Sequence, residues 1–476
     1  MIDISNRREC FFDDYLIDTD KTTAEFRLHE PTRKEVVMKL TESWEGSASV
    51  YFHTFYDEGK WRMYYLGGEY YDERGSRVCY AESTDGINWV KPKLNICEWE
   101  GSTENNVLLD GRYVCIDNCF VFRDDNPACP PEKKYKAMMY QLKTKPEKKT
   151  SLWYFYSADG IHFQKGEKIT EEGAFDSLNV AFWDKDIKKY RCYYRGAHTY
   201  GKKDMVCDFK EEDIRDIRYI ESEDFINWSK PVLLNYGDVE DVSLYTNSVQ
   251  KYYRAPHILI GFPTRYLYRR EWTPTFDELC GKVARKARCE KNPRYGLVIT
   301  DGLFMCSRDA VNFKRYDNAF IRPAEENGKN WLYGDGYLCY GMIETPSAVE
   351  GAPNELSIYM PENGWIGPKN LVRYTIRVDG FVSLHADAEE KVIVTKPFIY
   401  KGSELSVNFA TSGYGYTYFT LIDENGNEYD SYETFGNSLD RKIRFIDENS
   451  VKKLSGKAVV LKIRVKDGDV YSIKFN

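Results

Sequence analysis

The sequence lacks the features that mark several common classes of protein. It has only six histidines in 476 residues, and neither C-x-x-C nor H-x-x-x-H occurs, so we expect no metal site and no cofactor. No apolar run is long enough to span a membrane, and the first ten residues contain no apolar segment typical of a signal peptide. These absences predict a cytoplasmic protein that does not enter a membrane.

A concentrated basic surface is also missing. The net charge is −8, the isoelectric point is about 5.6, and the Lys and Arg residues are dispersed, which argues against nucleic acid as a partner. One stretch, Arg265 to Arg294, is rich in Arg and Lys, but acidic residues are mixed into it. We predict a solvated, partly helical insertion there. Twelve cysteines without paired spacing indicate small buried side chains in a reducing compartment.

Aromatic residues are abundant. They make up 15% of the chain, with 38 Tyr, 25 Phe and 10 Trp. Most of this excess is typical of β-sheet, where aromatic side chains pack on half-buried pleated faces. The remainder suits a cleft that binds sugars, because pyranose rings stack on aromatic side chains.

One short motif occurs four times, at intervals of 65 to 85 residues. It has the form Ser-x-Asp-x-Ile/Val-Asn/His-Trp/Phe and spans 83–89, 157–163, 222–228 and 307–313. The Asp predicts a tight turn closed through its own backbone, and the final aromatic residue anchors the next strand in the core. Repetition at this spacing identifies one structural unit used several times.

Each motif closes a group of predicted strands. In the first unit these lie at 49–56, 61–66 and 77–82, and similar groups cover 118–156, 179–220 and 245–306. A fifth unit, at 337–376, keeps the strand order without the full motif. Radial repetition of small antiparallel sheets predicts a five-bladed β-propeller.

The pattern changes near residue 386. Short strands separated by turns such as Asp423 to Gly426 predict a β-sandwich over 386–476. The fold class is therefore all-β, a five-bladed β-propeller over 1–385 followed by a C-terminal β-sandwich. Residues 1–40 are predicted to clamp onto one of the two.

This layout resembles the clan of five-bladed propeller glycosidases that includes glycoside hydrolase families 32, 43 and 68. Among these families, the order of domains is most similar to that of family 32. The chain resembles still more closely a group of bacterial proteins that are similar to the N-terminal domain of family 32. The segments that carry the resemblance are 13–17, 44–46, 175–183, 224–228, 261–265 and 377–384.

The chain departs from family 32 at the residues that matter for chemistry. The W-[MIL]-N-D-P-N-G motif of the nucleophile and the R-D-P motif are both absent. The nearest local analogue of the first is Ser43 to Ser47, which has Glu45 in place of the Asp. The resemblance therefore implies a propeller glycosidase fold without fructose specificity.

Carboxylates at the starts of the innermost strands are the candidate catalytic groups. These strands converge on a funnel, where one acid can protonate the leaving oxygen and another can attack or activate water. The predicted catalytic residues are Glu45, Asp117, Asp176 and Asp241. Caps and turn-bracing contacts are the alternative role for each, and Asp176 opens the most distinctive segment.

Other residues are predicted to bind substrate. Arg195, His257 and Arg265 could hold a carboxylate or a sugar hydroxyl, although an inter-blade salt bridge explains each equally well. The remaining candidates are Asp335 at the start of the fifth blade and the aromatic platforms Trp44, Tyr245 and Trp331.

These features predict a glycoside hydrolase that acts on small oligosaccharides or glycosides. An inverting glycoside phosphorylase is one alternative, since basic residues at the funnel could bind phosphate. A non-catalytic carbohydrate-binding propeller is the other. A carbohydrate is the expected partner in all three cases, and the oligomeric state stays open, with a homo-oligomer among the alternatives.

Overall fold

The computed structural model describes residues 1–68, 75–111, 118–141, 150–207, 209–365 and 367–476. The N-terminal segment contributes four strands that belong to different parts of the molecule. They are β1 (Ile2–Ser5), β2 (Glu9–Cys10), β3 (Glu25–Leu28) and β4 (Thr32–Lys39).

Five small sheets follow and form the blades of a propeller. Blades I, II and III each have four antiparallel strands in simple sequential order. Blade I holds β5 (Val50–Asp57), β6 (Lys60–Gly67), β7 (Arg77–Ser83) and β8 (Val107–Asp110). Blade II holds β9 (Cys119–Arg123), β10 (Tyr135–Gln141), β11 (Ser151–Ser157) and β12 (Gln164–Thr170), with a short 3₁₀ turn at Pro131–Lys133. Blade III holds β13 (Val180–Asp184), β14 (Lys189–His198), β15 (Ile214–Ser222) and β16 (Val232–Leu233).

Blade IV has a second strand in two pieces. Its elements are β17 (Gln250–Tyr252), β18 (Ala255–Gly261), β19 (Thr264–Tyr268), β20 (Val298–Ser307) and β21 (Phe313–Ile321). Both β18 and β19 pair antiparallel with β20. Between β19 and β20 lie α1 (Pro274–Glu278), α2 (Lys282–Lys291) and α3 (Arg294–Leu297), so the predicted helical insertion is confirmed.

Blade V closes the ring with a strand from the other end of the chain. It holds β22 (Ile343–Thr345), β23 (Glu355–Glu362) and β24 (Asn370–Arg377), and β4 pairs antiparallel with β24 as its outermost strand. Arg373 fastens this strand: its Nε and Nη2 atoms each lie 3.1 Å from a carboxylate oxygen of Glu35. The chain thus joins its first forty residues to its fifth blade.

The innermost strands of blades IV and V lie later in the chain than predicted. The pattern at 245–249 and 337–341 predicts first strands, whereas the structure has β17 at Gln250–Tyr252 and β22 at Ile343–Thr345. The predicted segments are instead the connections into those strands. They contain the aromatic and apolar residues of a strand because most of their side chains are buried.

The C-terminal domain is built on one long hairpin. Its elements are β25 (Val382–Ala386), β26 (Lys391–Val394), β27 (Phe398–Tyr400), β28 (Leu405–Asp423), β29 (Glu428–Asp430), β30 (Asn437–Lys442), α4 (Ser450–Leu454) and β31 (Ala458–Phe475). β28 pairs with β31 along nearly its whole length, and the register shifts between Thr411 and Tyr416. That irregularity lets one strand continue where the sequence predicts two.

The N-terminal segment holds the two domains together. β1 pairs with β27, β2 with β31 and β3 with β25, while β4 belongs to the propeller. The predicted clamp therefore engages both domains, and the all-β propeller followed by a C-terminal β-sandwich is confirmed. Among the described residues, no helix has the length and apolar character needed to cross a membrane.

The repeated motif forms the same turn in all four blades that carry it. In blade III, Asp224 Oδ1 accepts hydrogen bonds from the backbone N–H groups of Ile226 at 2.9 Å and Asn227 at 2.8 Å. The Asn227 bond is the main reason why the pKa of Asp224 is lowered to about 2. Phe225 takes a left-handed φ of 65° and is buried, in the position that glycine occupies at Gly86 and Gly160.

We expect Asp224→Ala to lower the free energy of unfolding by roughly 1–2 kcal/mol, because two backbone N–H groups lose their acceptor. Urea denaturation measures the change. The neighbouring exposed Glu223→Ala is the matched control and should stay within about 0.5 kcal/mol of the wild type. Equal effects of the two substitutions would contradict the role of the turn.

Candidate functional site

Strands β5 and β19 and the connections into β17 and β22 bring five tyrosines together. We call Tyr51, Tyr245, Tyr266, Tyr333 and Tyr337 the tyrosine cluster. Tyr245 stacks on Tyr337 and on Tyr266, with ring centroids 5.5 and 6.0 Å apart, and meets Tyr333 edge-on at 5.8 Å. Tyr51 stacks on Tyr337 at 6.5 Å. Blades I, IV and V therefore share one aromatic floor.

Tyr245 and Tyr266 point in the same direction from a small piece of sheet. Leu244 and Arg265 form an antiparallel bridge, the N–H of Tyr245 donates to the carbonyl of Thr264, and that of Tyr266 donates to Ser243. In this register the two tyrosines are diagonal neighbours on one face. Their rings are inclined by only 19° and stack on one another.

Each of these hydroxyl groups holds one carboxylate. The hydroxyl of Tyr245 donates to Asp176 Oδ1 at 3.2 Å, and that of Tyr266 donates to Glu211 Oε1 at 3.3 Å. The side chains of Asp176 and Glu211 are 38% and 36% exposed, so solvent reaches both. The two carboxylates are thus held by neighbouring phenol groups whose rings lie 6.0 Å apart.

Each carboxylate also faces a buried arginine. Arg195 Nη1 lies 3.8 Å from Asp176 Oδ2, and Arg215 Nη2 lies 3.5 Å from Glu211 Oε1. The two guanidinium groups pack on the same ring, that of Phe209, at 5.6 and 4.5 Å. The site thus contains two parallel sets of tyrosine, carboxylate and arginine.

The helical insertion supplies one wall of the site. Arg294, the first residue of α3, lies over the rings of Tyr295 at 5.0 Å and Tyr333 at 5.9 Å. Trp365, from the connection between β23 and β24, packs against Tyr295 at 4.8 Å and donates from Nε1 to the carbonyl of Tyr333. The predicted solvated insertion is therefore folded against the tyrosine cluster along this edge.

Asp335 shapes the connection that carries Tyr333 and Tyr337. Its Oδ2 atom accepts a hydrogen bond from the N–H of Leu332 at 2.8 Å, and the side chain is buried. Burial raises the pKa of Asp335 to about 7. Lys369 lies within electrostatic reach, and burial lowers its pKa to about 8 while Nζ donates to the carbonyl of Ser49. Asp335 is placed to support this connection from within.

Asp176, Arg195 and Tyr245 are the predicted site residues that the structure brings together. Glu45 lies elsewhere, fully buried, where it accepts hydrogen bonds from Tyr65 at 2.6 Å and Lys91 at 2.7 Å. Trp44 beside it donates from Nε1 to Asn106. Asp117 lies outside the described residues.

Asp241 belongs to a second group of charges. His198 Nε2 lies 3.0 Å from Asp241 Oδ2, and His198 Nδ1 lies 2.8 Å from Asp216 Oδ2. The two carboxylates outweigh burial, which acts in the opposite direction, and raise the pKa of His198. This group lines a cavity of about 290 Å³ beside blades III and IV.

The remaining predicted residues make contacts away from the tyrosine cluster. Arg265 forms a bidentate pair with Asp301 at 3.0 and 2.6 Å, and His257 Nε2 lies 3.2 Å from Glu9 Oε1 in β2. Trp331 donates from Nε1 to the carbonyl of Ala324. Arg265 therefore pairs within blade IV and His257 contacts the N-terminal segment, so neither contact is the inter-blade salt bridge that stood as the alternative interpretation.

Sequence reasoning missed Glu211, Arg215, Tyr266 and Arg294. The carboxylates predicted from the sequence lie at the starts of innermost strands, whereas Glu211 lies in the connection between β14 and β15. Glu211 is followed by Glu212 in a polar stretch, and no local pattern sets it apart. Within the described ranges, no group of three or more His, Cys, Asp and Glu side chains is placed to bind a metal ion.

No protein-family model matches the chain, and no curated protein matches it. Solved structures that are similar include an N-acetylgalactosamine deacetylase from F. plautii in complex with blood group B trisaccharide (11% identity, 73% of this chain and 96% of that chain, TM-score 0.45). A second is a glycosyl hydrolase from Bacteroides ovatus (14% identity, 79% of this chain and 100% of that chain, TM-score 0.42). A third is a family 32 β-fructofuranosidase from Bombyx mori (11% identity, 94% of this chain and 94% of that chain, TM-score 0.39). At these values the matches carry no statement about activity, and the fold assignment rests on the five blades themselves.

Asp335→Asn should change how stability depends on pH. The folded protein keeps the Asp335 proton up to about pH 7, whereas the unfolded chain releases it near pH 4, so this group loses stabilising effect as pH rises between these values. As pH rises across that interval, the free energy of unfolding of the variant should increase relative to that of the wild type by roughly 1 kcal/mol or more. Urea denaturation at several pH values measures the gain, with the exposed Glu326→Gln as control. A constant difference from pH 4 to pH 7 would contradict the raised pKa.

Proposed function

We propose that this protein is a glycoside hydrolase acting on small oligosaccharides or glycosides, with Asp176 and Glu211 as its paired carboxylates. One observation carries the proposal. Two carboxylates that solvent reaches are each held by one of two stacked tyrosines, and glycoside hydrolysis uses a pair of carboxylates in one site. Asp176 is one of the catalytic residues predicted from the sequence. For the second carboxylate we propose Glu211 in place of the predicted Asp117, Asp241 and Glu45.

The chemistry requires two roles. One group, as the carboxylic acid, donates its proton to the glycosidic oxygen while the bond from that oxygen to the anomeric carbon breaks. The other, as the carboxylate, attacks the anomeric carbon or removes a proton from the attacking water. Tyr245 and Tyr266 hold the two groups in position through hydrogen bonds, which leaves little reorganisation for the moment of reaction.

Aromatic rings at the edge of the tyrosine cluster favour a carbohydrate substrate. Tyr51 and Tyr337 are buried in the stack with Tyr245, whereas Tyr295 and Trp365 are partly exposed, and exposed rings of this kind bind the C–H faces of sugars. We infer that Arg195, next to Asp176, also contacts the substrate. A cytoplasmic location remains a prediction from the sequence.

Phosphorolysis is a second candidate, favoured by the arginines. Arg195 and Arg215 both flank the carboxylates, and guanidinium groups bind phosphate through two parallel hydrogen bonds. In that reaction a phosphate oxygen, instead of water, forms the new bond to the anomeric carbon, and the leaving oxygen takes a proton from the acid. A carbohydrate-binding propeller without turnover is the third reading.

Asp176→Asn and Glu211→Gln should each lower kcat by about 10²- to 10⁴-fold, because each removes a group that transfers a proton or attacks carbon. The assay is a panel of aryl glycosides and oligosaccharides, run with and without phosphate. Glu212→Gln, one residue away and exposed, is the matched control and should keep wild-type activity. Glycosyl phosphate as the product would favour the phosphorylase.

Two results would count against the proposal. Sugar binding without turnover across the panel would leave only the carbohydrate-binding function. Wild-type turnover in Asp176→Asn or Glu211→Gln would remove that residue from the catalytic pair.

A further inference from the structure

Arg294 stands apart from the other two arginines of the site. Arg195 and Arg215 each lie within 4 Å of a carboxylate oxygen. Within the part of the chain that the structure describes, the guanidinium of Arg294 has no such partner. Its Nη2 atom donates a hydrogen bond to the hydroxyl of Tyr295 at 3.5 Å. Its charge is therefore not balanced by a carboxylate.

The guanidinium of Arg294 is directed at the tyrosine cluster. It lies 5.9 Å from the ring centre of Tyr333 and within electrostatic reach of the phenol groups of Tyr266 and Tyr245. Those two tyrosines are the ones that hold Glu211 and Asp176. Arg294 therefore faces the same space as the proposed catalytic pair, from the side of the helical insertion.

The charges of the site leave a single positive excess. Three arginines face two carboxylates, so the excess is one charge when all are ionised. Placing an uncompensated charge where water is partly excluded costs free energy, and an anionic ligand removes that cost. The excess is positive whether both carboxylates are ionised or one of them is the carboxylic acid, so the site favours an anion.

Aromatic rings next to Arg294 can hold the body of the same ligand. Tyr295, Trp365 and Tyr333 form a compact group, with ring centroids 4.8 to 6.3 Å apart. Tyr295 and Trp365 are partly exposed at the edge of the tyrosine cluster. A sugar ring that stacks there places a substituent within reach of the Arg294 fork.

We propose that the substrate of this site is an acidic sugar, a glycoside of a hexuronic acid, whose carboxylate binds Arg294. This rests on the proposed function for the identity of the site as a carbohydrate site. Arg294 is then the residue that selects acidic over neutral sugars. The bidentate geometry of guanidinium with carboxylate supplies the selectivity.

Binding measurements test this without requiring turnover. The probes are methyl glycosides of hexuronic acids, each matched with the methyl glycoside of the corresponding neutral hexose, and inorganic phosphate in a separate arm. Calorimetric titration of the wild type should show at least one uronide bound about 10-fold or more tightly than its neutral counterpart. Arg294→Met should abolish that preference and leave neutral sugars bound within about 3-fold of the wild type.

Two further variants keep the test decisive. Arg269→Met removes an exposed arginine of the same insertion and should retain the full preference. Arg294→Lys keeps the charge but loses the planar fork, so the preference should shrink several-fold without disappearing. It also serves if Arg294→Met does not fold.

The outcomes separate this inference from the proposed function. Equal binding of uronides and neutral hexoses, or an unchanged preference in Arg294→Met, would overturn it. Phosphate binding that depends on Arg294, with no preference for uronides, would overturn it too and assign Arg294 to a phosphate co-substrate. A preference for uronides that depends on Arg294, in a protein without turnover, would support this inference. That result would contradict only the proposed hydrolase activity.

Discussion

Closure of the propeller ring is the constraint on which the rest of the molecule depends. Blade V has three strands of its own, and its fourth, β4, comes from residues 32–39. Without it, β24 would present an open edge of unpaired backbone groups. The Glu35 to Arg373 pair links β4 to β24, and Arg373 also donates to the hydroxyls of Thr345 and Ser357 on β22 and β23. Arg373 on β24 therefore links all four strands of blade V.

The centre of the ring shows how closely the blades are coupled. His53, buried in β5, accepts a hydrogen bond at Nε2 from the N–H of Val121 in β9, and its Nδ1 lies 2.9 Å from the carbonyl of Tyr51. Burial lowers the pKa of His53 to about 4, so the ring is neutral and acts as a fixed donor and acceptor. The same residue is bridged to Tyr340 near blade V. The position of Tyr51 in the tyrosine cluster follows from this coupling.

The candidate site uses aromatic residues for two purposes. Tyr245 and Tyr266 are part of the packed floor, and their hydroxyls also bind Asp176 and Glu211. Phe209 packs against both Arg195 and Arg215. A few aromatic residues therefore combine core packing with contacts to the charged groups of the candidate site.

Local signals determined the blades. The four Ser-x-Asp motifs predict turns that the structure contains, because an Asp that binds the two following N–H groups needs no distant partner. Strand alternation located most blade strands, and the mixed charges of residues 265–294 indicated the helical insertion. It failed for residues 245–249 and 337–341, where burial between blades gives a connection the hydrophobic pattern of a strand.

The site was determined by tertiary structure. Glu211 and Asp176 are joined through Tyr266 and Tyr245, and that link exists only because two segments pair across blade IV. Arg294 reaches the same space because the insertion folds back on it, although its sequence resembles any solvated basic stretch. The shortage of histidine and the dispersed charge argue against a metal site and a nucleic-acid partner, and both remain predictions from the sequence. Which charges face one another depends on ring closure, and no local pattern records it.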